Sequence, residues 1–361
     1  MDQIVKALGL INSFQIDGLK GEANPTAGAR LNLSGALDSL RLTAADGKSA
    51  GVTVVSQGFG VGKLSLPTPQ NPSISLDPYL SHLDVKLHEE LFERLADFAD
   101  EALLKDMHQV IDRVLLRRLN TVVRLMGDKK LHLDIKLDQL FLQNEDEELI
   151  RLKDLSLSVL DYDTKLPPAQ AKQECQIVLR GLRVEIEQKF FERVIEAVNS
   201  KIPSILKDLH VELPGPKMIA GGNVKTGPLV TSFRVDLKFE TENDLFGIYF
   251  DRFYIPGTNV KLPGMVRNAL LSMIRSKVEG KLDGLVEVSN DSLRINPWSK
   301  VPVDVITHVS EFAIEDGKIV VVFTEPDDRT VPEQADAHAS AVERAPQPGD
   351  LEVVLGPGPA L

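Results

Sequence analysis

The sequence predicts an α+β protein in which long amphipathic helices pack on curved antiparallel sheets. Three observations predict it. Apolar residues recur at helical spacing over 88–126 and 188–209, and they alternate with polar residues over 131–138 and 155–159. A strand-to-helix passage also occurs twice, at an offset of 99 residues from Leu83 to Leu182.

Residues 14–66 read as short strands joined by Gly-rich turns. Ala36 to Leu42 leads through Asp46-Gly47, a hairpin signal, into Val52 to Val55. Pro67, Pro69, Pro72 and Pro78 mark a linker or wrapping loop. A helix over 88–126 follows. Glu89, Glu90, Glu93, Asp97, Asp100 and Glu101 crowd its first turns, and Arg113, Arg117, Arg118 and Arg124 its last. That charge order complements a helix dipole, and Gly127 supplies the stop. Its apolar residues make two neighbouring stripes, one containing Phe92, Leu95 and Val114, the other Met107, Ile111 and Val122. The joint face is wider than one packing partner needs.

The period then changes to two. Leu131, Leu133, Ile135 and Leu137 alternate with His132, Asp134, Lys136 and Asp138, which predicts a strand with one wet face. Leu155, Leu157 and Val159 do the same, and the acidic run Glu145 to Glu148 is a solvated turn between them. A strand over 177–186 passes into a second helix, 188–209, with Phe191, Ile195, Val198, Ile202, Ile205 and Leu209 on one stripe and Pro203 as a kink. Strands at 231–240 and 245–254, a third helix at 263–280 carrying Leu270 and Ile274, and strands at 285–295 and 303–323 complete the body. From Glu325 on, a composition rich in Pro, Ala, Asp and Glu without periodicity predicts a disordered tail.

Leu83 to Leu95 aligns without gaps on Leu182 to Val194, with Phe92-Glu93-Arg94 matching Phe191-Glu192-Arg193. Duplicated strand–helix–strand modules account for this. The chain divides into a β-rich segment and Pro-rich linker (1–80), a first module (81–170), a second module with the third helix and a terminal hairpin (171–325), and the tail (326–361).

The order of extended strand, long helix and antiparallel strands resembles the tubular lipid-binding (TULIP) superfamily, in particular its bacterial phospholipid-binding branch. The carrying residues are Tyr254-Ile255-Pro256-Gly257, Val260-Lys261-Leu262-Pro263, the third helix, Leu285-Val286-Glu287-Val288 and Leu293 to Trp298. The resemblance spans about 80–320 and implies a long helix wrapped by a curved sheet, with acyl chains held between them.

Composition narrows the chemistry. A net charge of −12 argues against a nucleic-acid partner, because phosphate contacts need clustered cations. Cys175 is the only cysteine, so no intrachain disulfide forms. No two of the seven histidines have the helical spacing of a zinc site. Gly58 to Lys63 lacks the frame of a phosphate loop and, like Ile219 to Asn223, reads as a flexible turn. Nothing pairs a nucleophile with a base, so no catalytic residue, metal or cofactor is expected. The N-terminus lacks a basic leader region and no apolar run is long enough to span a membrane, which predicts a cytoplasmic or peripheral protein, or an extracytoplasmic one whose leader has been removed.

What remains is surplus apolar surface. The expected ligand is a lipid or other apolar small molecule lying beside Phe191, Ile195, Val198, Ile202, Phe233, Val235, Leu237, Phe250, Leu270 and Ile274. Arg113, Arg117 and Arg124 are the candidate contacts for anionic head groups at a membrane surface. The alternative is a scaffold whose wide helix faces pack on a partner or a second copy.

Overall fold

The computed structural model describes residues 11–17, 20–26, 30–37, 39–44, 49–65, 73–99, 104–167, 170–171, 174–198, 206–226, 228–242, 245–258, 260–264, 266–268, 270–272, 286–289, 292–296 and 305–326. These belong to the unit Met1–Glu325, apart from Pro326, and the predicted tail beyond Pro326 lies outside them.

The described chain is mostly antiparallel strand. It opens with β1 (Ile11–Asp17), β2 (Lys20–Thr26), β3 (Arg30–Leu37), β4 (Ser39–Ala44) and β5 (Ser49–Ser65). Then β6 (Ile74–Leu87) passes into helix α1 (Glu89–Ala99) and a 3-10 turn at Leu104–Gln109. A meander follows: β7 (Arg113–Leu125), β8 (Lys130–Asn144) and β9 (Glu147–Asp163). Next, β10 (Gln176–Glu187) passes into α2 (Gln188–Val198), and a second meander is built from β11 (Leu206–Glu212), β12 (Met218–Thr226), β13 (Leu229–Glu242) and β14 (Leu245–Tyr254). The short strands β15 (Val286–Val288), β16 (Ser292–Ile295) and β17 (Val305–Ile306) precede the terminal hairpin β18 (His308–Glu315) and β19 (Lys318–Thr324).

Two sheets result. The larger runs β1-β4-β5-β6-β7-β8-β9-β10-β19-β18, with β2–β3 attached to β5 and β17 beside β10. The smaller runs β11-β12-β13-β14-β16-β15. The hairpin signal at Asp46-Gly47 falls between the paired strands β4 and β5, and Glu145 and Asp146 form the turn joining β8 to β9 with positive φ.

The long helices do not form. The helix expected over 88–126 ends at Ala99, and Arg113–Leu125 is a strand hydrogen-bonded on both sides. The helix expected over 188–209 ends at Val198, and Leu206–Glu212 is a strand. Helical residues do occur at 264, 266–268 and 270–272, the part of the third helix that is described. An architecture of long amphipathic helices wrapped by a sheet, and the tubular likeness drawn from it, is therefore replaced by a mainly antiparallel β fold with short helices. Other expectations shift with it. The Pro67–Pro78 linker is strand from Ile74 onward. Gly58 to Lys63 lies inside β5, and Ile219 to Asn223 inside β12, where Gly222 leaves room for Leu209 and Phe233.

The main core lies between the smaller sheet and the β9-β10-β19-β18 side of the larger one. Phe233, Val235, Leu237 and Phe253 meet Leu179, Ile319, Val321 and Phe323 there, with Leu262, Val266 and Leu270 from the 262–270 segment. Phe239 stacks on Phe312 at 5.1 Å between ring centroids, and Phe246 meets Phe323 edge-on, so aromatic pairs bind the two sheets together. A second, smaller cluster joins Val110 and Leu149 to Ala197, Phe190 and Val194 of α2. Both helices leave the same end of the large sheet, because β6 and β10 run in the same direction four antiparallel steps apart. No helix among the described residues is long and apolar enough to cross a membrane.

Candidate apolar binding face

Strands β6 to β10 each carry the same interruption of the two-residue period. It appears as Leu80–Leu83, Leu116–Leu119, Leu137–Leu140, Leu152–Leu155 and Leu179–Leu182, always with two residues between the leucines. One of those two is skipped by the ladder: His82 pairs with Arg117, Arg117 with Gln139 and Gln139 with Lys153, while Leu80, Leu119, Leu137 and Leu155 form the next row. The skipped residues Arg118 and Asp154 have positive φ, and register shifts mark the same height in β10. Opposed residues of neighbouring strands are skipped together, so the register is kept and the breaks of β6 to β9 line up at one height.

The outcome is one apolar face carried strand to strand by register. Its rows include Val85–Val114–Leu142–Ile150–Ile186, Leu83–Leu116–Leu140–Leu152–Val184, Leu80–Leu119–Leu137–Leu155 and Leu76–Val123–Leu133–Val159–Ile177. At the β9–β10 end this face is covered: Leu155, Leu157, Leu182, Val184 and Ile186 pack into the main core. At the β6–β8 end it is half-buried apart from Leu137, and among the described residues neither core cluster includes Leu76, Leu80, Leu116, Leu119, Val123, Leu133 or Leu140.

The opposite face of the same strands carries a network of ion pairs, with Leu115 paired to Phe141 within it. Arg113 donates to both carboxylate oxygens of Asp84 at 2.9 and 2.7 Å and reaches Asp146. Arg117 and Arg151 lie over the two sides of the Phe141 row, 5.3 and 5.2 Å from its ring centroid. Arg151 also pairs with Glu148. Glu185, only 3% exposed, accepts from Lys153 at 2.9 Å and from Arg183 at 2.8 Å. Burial pushes its carboxyl up, yet hydrogen bonds from Arg183 and Lys153 and the charges of Lys153 and Lys318 outweigh it and hold the group at about 2. Asp134 binds Arg124 at 3.0 Å and Ser158 at 2.6 Å.

No family model, curated protein or solved structure matches this chain.

Phe191, Phe233, Val235, Leu237, Phe250 and Leu270 are brought together, in the main core between the two sheets. Ile195 lies on α2 and is half-buried, Val198 ends that helix, and Ile202 and Ile274 lie outside the described residues. Arg113, Arg117 and Arg124 stand on β7, each already engaged by Asp84, Phe141 or Asp134. Cys175 is buried. Among the described residues no cluster of His, Cys, Asp and Glu has the arrangement of a metal site. An open recess of about 490 Å³ at the start of α2 is lined by Glu147, Glu148, Glu187, Gln188, Lys189, Glu192 and Gly317. Glu147 there is held below the usual carboxylate range by its hydrogen bond from Lys189.

Sequence reasoning passed over the β6–β8 face. Its signal is the repeated Leu-x-x-Leu, of which only Leu116 and Leu119 fall in the stretch expected to be helical.

Proposed function

We propose that this chain is a non-enzymatic binder or carrier of a lipidic ligand, and that acyl chains lie along the half-covered apolar face of β6–β8. The observation that carries the reading is the row structure: opposite a face that holds the ion pairs Arg113–Asp84 and Arg124–Asp134, aliphatic side chains occupy one face across three long strands. Such a face offers dispersion contacts without hydrogen-bonding demands, which suits alkyl chains better than polar ligands. At 13 to 15 residues per strand, β6 to β8 extend about 45 Å at ~3.3 Å per residue, longer than an extended sixteen-carbon chain. Each CH₂ transferred to such a surface gains up to about 0.8 kcal/mol before ordering costs.

Native mass spectrometry of the purified protein, followed by titration with a fluorescent fatty acid, tests this. Co-purifying lipid or saturable uptake is expected, and Val123→Asp with Leu133→Asp is expected to reduce uptake at least tenfold while the fold persists by circular dichroism. Lipid-free protein that takes up no fatty acid overturns the reading. A self-associated protein whose apolar face is closed by a second copy supports a scaffold instead.

A further inference from the structure

The three most exposed large apolar residues among the described residues are Leu229 at 69%, Val230 at 66% and Val260 at 58%; the next, Ile74, stands at 39%. All three lie at one end of the smaller sheet. Among the described residues the outermost pair between β11 and β12 is Leu206 with Val224, and the outermost between β13 and β14 is Arg234 with Tyr254. The tip joining β12 to β13, paired through Lys225–Val230 and Thr226–Leu229, therefore projects past the described ends of both neighbours. Val230 stands four residues beyond the last β14 pair, about 13 Å along the strand.

Val260 projects from the same end. The turn after β14 folds back on itself, with Val260 O accepting from Ile255 N at 3.0 Å and Phe253 O accepting from Leu262 N at 2.9 Å. This turn is thus fixed to the sheet rather than trailing from it. Its base is buried through Leu262 and Val266, whereas its outer residues Val260, Lys261 and Pro263 are exposed.

Charge points the same way. The stretches 225–230 and 255–268 carry Lys225, Lys261 and Arg267 and not one carboxylate, in a chain whose net charge is −12. Exposed Leu and Val beside lysines on a rigid, projecting edge match an interfacial membrane contact, in which apolar tips enter the head-group boundary and cations meet anionic lipid.

We infer that this end of the smaller sheet docks on an anionic lipid surface, inserting Leu229, Val230 and Val260 between Lys225 and Lys261. The inference stands apart from lipid carriage by β6–β8, since it concerns a different sheet and a surface contact.

Flotation of the full chain with vesicles tests it, using phosphatidylcholine alone or with about a third phosphatidylserine. Binding to the anionic vesicles is expected, with Leu229→Asp plus Val230→Asp weakening it at least tenfold and Lys225→Glu plus Lys261→Glu weakening it by about fivefold per charge. Both variants are expected to keep wild-type fatty-acid uptake, which separates this edge from the β6–β8 face. Leu229→Trp is expected to blue-shift its fluorescence on adding anionic vesicles. Failure of the wild-type chain to float, flotation unchanged in the Leu229/Val230 variant, or loss of a dimer in that variant would each overturn the inference.

Discussion

The first strand–helix passage and the second begin alike and end differently. In both, a strand with a Leu-x-x-Leu break runs straight into an eleven-residue helix, β6 into α1 and β10 into α2. After α1 the chain returns beside β6, so β7, β8 and β9 extend the same sheet. After α2 it leaves: β11 to β14 found a separate sheet that folds over β10, and the vacant edge of β10 is taken by β19. The same sequence pattern thus yields one apolar face left half-covered and another sealed by its own meander. Apolar alternation alone does not say whether a face is core or surface. What decides it is the partner that the next segment supplies.

The largest expected effect contrasts those two ends. Phe233→Ala, in the sealed half, is expected to cost about 3–5 kcal/mol by the loss of buried area and the cavity left behind. Leu133→Ala, at the same kind of position in the half-covered part, is expected to cost about 1 kcal/mol or less. Urea denaturation of the two variants measures both, and equal losses would break the comparison.

Second in size is the response to acid. Glu185 has a folded pKa of about 2, against 4.5 for a free glutamate side chain. A depressed carboxylate contributes stability that is fully present above about 4.5 and is lost as pH falls toward 2. The contribution is on the order of 3 kcal/mol. Denaturation midpoints across that window are expected to fall more steeply for the wild type than for Glu185→Gln. Parallel curves would remove Glu185 from the network's stabilising role.

The smallest effect concerns the break in the two-residue period at Arg118. Arg118 has a φ of 53° and pairs with Asp138 at 3.3 Å on an exposed surface. Such a pair is worth at most about 1 kcal/mol, and glycine relieves the left-handed conformation, so Arg118→Gly is expected to stay within about 1 kcal/mol of wild type. Arg118→Val, β-branched at positive φ, is expected to be the worse of the two by thermal melting.

Most strands after residue 130 were legible in the sequence. Leu131 to Leu137 and Thr231 to Glu240 alternate cleanly, and one solvated face makes the pattern visible. The stretch 113–125 was not, because the break at Arg118 sets Leu116 and Leu119 three apart, and arginines on the polar face of a strand look like the basic end of a helix. The buried charge at Glu185 was equally hidden. Its partners Lys153 and Arg151 come from β9, 32 and 34 residues earlier, and only the pairing of β9 with β10 reveals them. The clustering of Phe233, Val235, Leu237 and Phe250 followed from their shared meander, whereas their cover by β18 and β19 required the topology.

Because Leu80–Leu119–Leu137–Leu155 and Leu83–Leu116–Leu140–Leu152 stand at the same two heights, the pattern repeats from β6 to β9. A hairpin carrying the same spacing extends such a surface by about 10 Å without altering the strands already in place. The area of the face is set by strand count, and it can change by duplication without redesign of an interior.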